Sequence, residues 1–274
     1  MSWSGFKKTV NRTGISLMQG FGAIDKTVDK DFQEKEAMFK CLQSKSDELH
    51  RQARGYLNSV RVAMTSAQLQ MAEHLDGFYE ESTAGAAGAL HYRRAMGEID
   101  ATVRTEFDEV YRETVLNPIG RYCGYIPEFN TAINKRGRKL LDYDQAKSKL
   151  KKTVDRPTDD VNRAPQAEQA ANNAHEMYTV LNQQLLEEIP RFINIRVPYL
   201  EPSFEAMLKT QLKFFEDSYT LLQEVGTKLP VDAPGMDVTN ERGVNDQVED
   251  TLDLLRNLSI CGMLHRPTAA TAKQ

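Results

Sequence analysis

VDKDFQEKEAMFKCLQSKSDELHRQARGYLNSVRVAMTSAQLQMAEHLDGFYEE, Val28 to Glu81, carries apolar residues at steps of mostly three, four and seven. Phe32, Phe39, Leu42, Leu49, Ala53, Tyr56, Val60, Ala63, Ala67, Met71, Leu75 and Phe78 form the series. That is the period of one helix face, not of a strand. At about 1.5 Å per residue the stretch predicts a helix roughly 80 Å long. A rod of that length outruns a compact globule of 274 residues, so it must pack side by side with others, as a coiled coil or an elongated bundle.

The rest of the chain supplies the companions. ESTAGAAGAL, Glu81 to Leu90, breaks the stripe with two glycines and reads as a connection between helices. A second helical run extends from about His91 to Asp155. Pro118 and Pro127 each remove a backbone donor there and predict a bend or break. Beyond them Ile126, Phe129, Ile133, Gly137 and Leu140 resume the seam. RPTDDVNRAP, Arg156 to Pro165, is the next turn. A third run, about Gln166 to Gln223, places Ala174, Met177, Leu181, Leu185, Ile189, Phe192, Ile195 and Tyr199 at helical spacing, with Pro190, Pro198 and Pro202 inside it. After Gly226 an extended linker leads to a short amphipathic candidate, VEDTLDLLRNL. The prediction is an all-α fold of three long, kinked, antiparallel helices whose apolar seams are too long to cover alone, which calls for a partner chain.

Composition narrows the function. The chain is 40% hydrophobic with only 16 Gly and 10 Pro, a balance that favours helix over turn-rich β architecture. No run of 18 apolar residues occurs, and the N-terminus lacks the apolar stretch of a secretory signal, so a cytoplasmic protein is expected. Cys41, Cys123 and Cys261 are scattered and form no CxxC pair, which argues against a disulfide framework or a zinc site. The five histidines show no HxxxH or HExxH spacing, and AGAAG lacks the Lys and Ser/Thr of a phosphate-binding loop. An enzyme, a metal and a cofactor are therefore not expected.

Charge is placed more tellingly than its total of -4 suggests. KRGRKLLDYD, Lys135 to Asp144, begins with four cations in five residues, and Lys147, Lys149, Lys151, Lys152 and Arg156 follow. At 100° per residue from Ile133, Lys135, Arg138 and Lys149 fall within about 40° of the side opposite the seam, with Asp142 diluting the field. A solvated helix face is one reading. The excess of cations favours another, an anionic lipid surface, where each contributes about 1 kcal/mol within a Debye length. Nucleic acid would offer similar charge, but no aromatic residues interleave the cluster for base stacking, so no nucleic-acid partner is expected.

The N-terminal segment points the same way. As a helix, residues 1–24 place Trp3, Phe6, Val10, Gly14, Leu17 and Phe21 on one stripe, with Lys8 and Arg12 opposite, Lys7 close by and Ile15 off the stripe. That pattern suits a helix lying in a membrane interface, and its glycines make it weak in water. Packing of this arm on the bundle is the alternative.

Four segments together resemble a known family: SWSGFKKTVNRTG, KTVDKDF, NKRGRKLLDYDQAKSKLKK and LNQQLLEEIPRFINIRVPYLEPSFEAML. They resemble the N-BAR domain of the amphiphysin and endophilin class, and within it the short fungal BAR-only proteins. The resemblance implies a crescent-shaped six-helix dimer that binds anionic, curved membrane and can tubulate it. It divides the chain into a membrane-inserting arm (1–24), a BAR domain (25–226) and a linker with tail (227–274). Lys135, Arg136, Arg138 and Lys139 match the basic run of the family's second helix, and Lys147, Lys149, Lys151, Lys152, Arg156 and Arg163 its tip-proximal part. The implied partners are anionic phospholipid, phosphoinositides among them, and a second BAR chain, either identical or a longer one carrying a Src-homology-3 domain. The implied setting is endocytic invagination at the cell cortex, with actin-patch machinery. A coiled-coil adaptor acting through protein partners without lipid is the alternative function.

Overall fold

The structure is a computed structural model that describes residues 12–15, 19–20, 26–80, 85–156, 160–229, 241–258 and 260. Among the described residues there is no strand. The first rod runs α1 (Lys30–Asn58), a π-helical stretch (Ser59–Ser66) and α2 (Ala67–Phe78). The second runs α3 (Ala86–Glu98), α4 (Arg104–Tyr111) and α5 (Asn117–Asp155), joined by π-helical turns at Ile99–Val103 and Arg112–Leu116. The third is α6 (Arg163–Gly226), 64 residues without interruption, or roughly 95 Å at the α-helical rise. A shorter α7 (Glu241–Arg256) follows.

The prolines do not break these helices. Pro118 closely follows the π-helical turn Arg112–Leu116, and Leu116 and Asn117 before it keep right-handed helical backbone. Pro127 lies inside α5, and Pro190, Pro198 and Pro202 lie inside α6, with helix continuing on both sides. Each local cost is outweighed by the packing of the rod around it.

The π-helical stretch at Ser59–Ser66 explains a second difference. Its i→i+5 bonding winds each residue through a smaller angle than an α-helix does, so the downstream face rotates. Upstream, Phe32, Phe39 and Ala53 are buried as expected, whereas Leu49 is exposed. Downstream, Met71, Leu75 and Phe78 turn outward, Phe78 being 81% exposed, while Ala72 is buried instead.

Two compact units divide the chain: residues 1–63 with 105–214, and residues 64–104 with 215–274. In the first, Phe32 and Phe39 of α1 meet Tyr122, Ile126 and Ile133 of α5 and Leu185, Ile189 and Phe192 of α6. Tyr122 and Phe192 stack with centroids 4.7 Å apart, and the Tyr122 hydroxyl donates to the Phe192 carbonyl at 3.1 Å. Burial pushes that phenol up to about 12, so it stays a donor at neutral pH. In the second unit, Ala72, Ala95, Met96, Ile99 and Val225 form the core. Small residues allow close approach there: a Cβ on buried Gly88 would lie 2.6 Å from the Leu229 side chain.

Candidate functional site: the cationic face of α5

The decapeptide Lys135–Asp144 lies within α5 and splits between two roles. Lys135 and Arg138 are exposed. Arg136, grouped with them by sequence, is only 6% exposed and belongs to the core. It follows Ile133 by three residues and precedes half-buried Leu140 by four, so it continues the inward stripe. Its Nη2 donates to Asp29 Oδ2 at 2.8 Å and to the Tyr178 hydroxyl at 2.9 Å, and its Nε donates to Asn182 Oδ1 at 2.8 Å. The guanidinium also covers the Phe32 ring, 3.8 Å from its centroid. Arg136 is therefore removed from the lipid-facing candidates: at 6% exposure, with Asp29, Asn182 and Tyr178 around it, the guanidinium is turned into the protein and not toward a headgroup.

Asp29 serves both sides of this clamp. Its Oδ1 accepts the Phe32 N–H at 3.1 Å and caps α1, while Oδ2 takes Arg136 and the Tyr178 hydroxyl. Burial pushes this carboxyl up, but hydrogen bonds from Phe32, Asn182 and Tyr178 and the charge of Arg136 together hold it below the ordinary carboxylate range.

The two acids of the decapeptide are also committed. Asp142 forms a bidentate pair with Arg12, at 2.9 and 2.7 Å, which holds the guanidinium above its ordinary pKa, the hydrogen bonds outweighing burial. Asp144, 2% exposed, accepts from Thr27 Oγ1 at 2.6 Å and Gln19 Nε2 at 2.8 Å. Arg12, expected on the headgroup side of the arm, thus docks on α5 in this structure, and Ile15, expected off the apolar stripe, is 4% exposed. The arm's other candidates, Trp3, Phe6, Lys7, Lys8, Val10, Leu17 and Phe21, lie outside the described residues.

What remains on the outside is positive. Lys135, Arg138, Lys147, Lys149, Lys152 and Arg156 are exposed and make no ion pair among the described residues, and Arg163 at the start of α6 is likewise exposed. Lys151 is exposed too. Lys139 is half-buried, its Nζ 3.2 Å from the Met177 sulfur. Because Arg12 neutralises Asp142, the acid expected to dilute this face no longer does so. Among the described residues no group of His, Cys, Asp or Glu could hold a metal ion, and no helix is long and apolar enough to cross a membrane.

An all-α fold of long helices, one of which carries an exposed cationic face, defines a helical scaffold with a surface for anions. The chain belongs to the BAR domain family: the family's model matches residues 6–230. It is 40% identical over 263 residues to "Protein hob3" of Schizosaccharomyces pombe, covering 96% of this chain and 98% of that one. It is 38% identical over 267 residues to "Regulator of cytoskeleton and endocytosis RVS161" of Candida albicans, covering 96% and 99%. Among solved structures, the "Amphiphysin BAR domain from Drosophila" matches with a TM-score of 0.62 and 25% identity, over 74% of this chain and 92% of that one. Membership places the chain among the scaffolds of membrane curvature.

Proposed function

We propose that this protein is a non-enzymatic scaffold that binds anionic membrane through the outward cations of α5, and that it works on curved membrane during endocytic vesicle formation with cortical actin. The observation that carries the reading is the division within α5. Asp142, Asp144 and the buried Arg136 are partnered within the protein, while Lys135, Arg138, Lys147, Lys149, Lys152 and Arg156 are left to solvent. Each such cation contributes about 1 kcal/mol near an acidic lipid surface. The name of the Candida albicans relative supports the endocytic setting.

Residues 25–226 act as the BAR domain, residues 1–24 as the inserting arm, and residues 227–274 as a tail. Dimerisation supplies the missing cover for apolar side chains. Phe204, Leu208 and Leu212 are exposed in one unit, and Phe215, Tyr219 and Leu222 with Met71, Leu75 and Phe78 in the other. Burying each would contribute about 1.5–3 kcal/mol, which favours a second BAR chain, identical or longer, over a monomer. Electron microscopy of acidic vesicles with and without the protein tests the function. Tubules that vanish when Lys135 and Arg138 are reversed support it; vesicles that stay round with folded, dimeric protein contradict it and favour a lipid-free adaptor.

A further inference from the structure

A second cationic feature of the first unit is made of arginines and lies away from the basic run. Between α1 and the turn that opens α5, a groove of about 700 Å3 is walled by His50, Arg54, Arg112 and Arg121 over a floor of Leu57 and Leu116. No carboxylate lines it. Elsewhere Arg51, Arg93 and Arg104 each spend their guanidinium on a nearby acid. Arg54 and Arg121 are exposed and make no ion pair among the described residues. Arg112 is held in place by Asp108, at 2.8 and 3.3 Å.

The wall is closed by a close approach. A Cβ on Gly120 would lie 3.3 Å from His50 Nε2, so the bare backbone of α5 leaves room for the imidazole reaching over from α1. Arg54 and Arg121 bring two uncompensated guanidiniums to a groove that no carboxylate lines, and an anion there would neutralise both. Guanidinium is also the side chain that grips phosphate in a planar, two-pronged fashion, whereas the lysines of the outer face act as point charges. The volume exceeds what one phosphate needs, and the two unpaired arginines stand on different helices. We propose that the groove recognises a polyol bearing more than one phosphate ester, the chemistry of an inositol phosphate, free or as a lipid headgroup. This goes beyond general attraction to acidic membrane and does not depend on it.

The test uses the full chain and the double variant R54Q/R121Q, whose positions are exposed, with thermal melts confirming that both proteins fold. Calorimetric titration with inositol 1,4,5-trisphosphate is expected to show saturable binding that the variant weakens about tenfold or more. K135E/R138E should leave that binding nearly unchanged while lowering attachment to phosphatidylserine vesicles. A headgroup source adds a preference for vesicles containing phosphatidylinositol 4,5-bisphosphate over phosphatidylserine vesicles of equal charge, erased in R54Q/R121Q; a soluble source gives the titration without that preference. The proposal is overturned if the wild type shows neither saturable titration nor vesicle preference, if R54Q/R121Q binds like wild type, or if K135E/R138E weakens the titration equally. Loss of phosphatidylserine binding alone speaks to the membrane reading, so the two can fail separately.

Discussion

Arg136 and Arg138 stand two residues apart on one helix and have opposite fates. Arg136 is enclosed by Asp29, Asn182, Tyr178 and Phe32, and its charge holds α1, α5 and α6 together. Arg138 is exposed and makes no ion pair among the described residues. The inner face of α5 uses charge to build the protein, whereas the outer face leaves it available. The difference lies in helical phase: identical residue types two positions apart point about 160° away from each other.

The largest effect is expected from removing the inner arginine. R136A leaves Asp29 without its ion-pair partner and should cost about 3–5 kcal/mol of stability, read by denaturant unfolding. A loss below about 1 kcal/mol would show that the clamp is ornamental. The outer pair should behave inversely: K135E/R138E should leave the unfolding midpoint nearly unchanged yet weaken binding to acidic vesicles by about 2 kcal/mol, roughly 30-fold.

Asp29 makes the inner clamp depend on pH. Its carboxyl lies below the ordinary range in the folded protein, so its contribution is fully present above the unfolded value and is lost as pH falls through the folded one. D29N retains a capping side chain but not the charge. The stability gap between wild type and D29N should therefore be widest at neutral pH and shrink on acidification; a gap independent of pH would deny the charge its role. The smallest effect is expected at the arm. R12A removes a partly exposed pair with Asp142 and should cost at most about 1 kcal/mol, with faster amide exchange around Ile15 as the more sensitive readout.

Much of this architecture is legible in the chain because long helices write a repeated period. The three rods appear where the seams of Phe32, Ile133 and Ile189 predict them. Of the bend or break expected at the prolines, the break does not occur, because packing along a 64-residue helix outweighs a missing N–H. The outward turn of Met71 and Phe78 is hidden because nothing in the residue types announces the π-helical stretch before them. Arg136 could have been found: the same angular count that sends Lys135 and Arg138 outward puts it beside Ile133. The arginine groove could not, since Arg54, Arg112 and Arg121 are scattered through the chain and only the pairing of α1 with α5 assembles them.

The most direct test of the account is cosedimentation with phosphatidylserine vesicles over a series of salt concentrations, comparing wild type, R138E/K149E and neutral vesicles. Wild-type binding is expected to fall steeply with salt, with little binding by the variant or to neutral lipid and all proteins equally folded. Equal binding by the variant, or wild-type binding indifferent to salt, would contradict it.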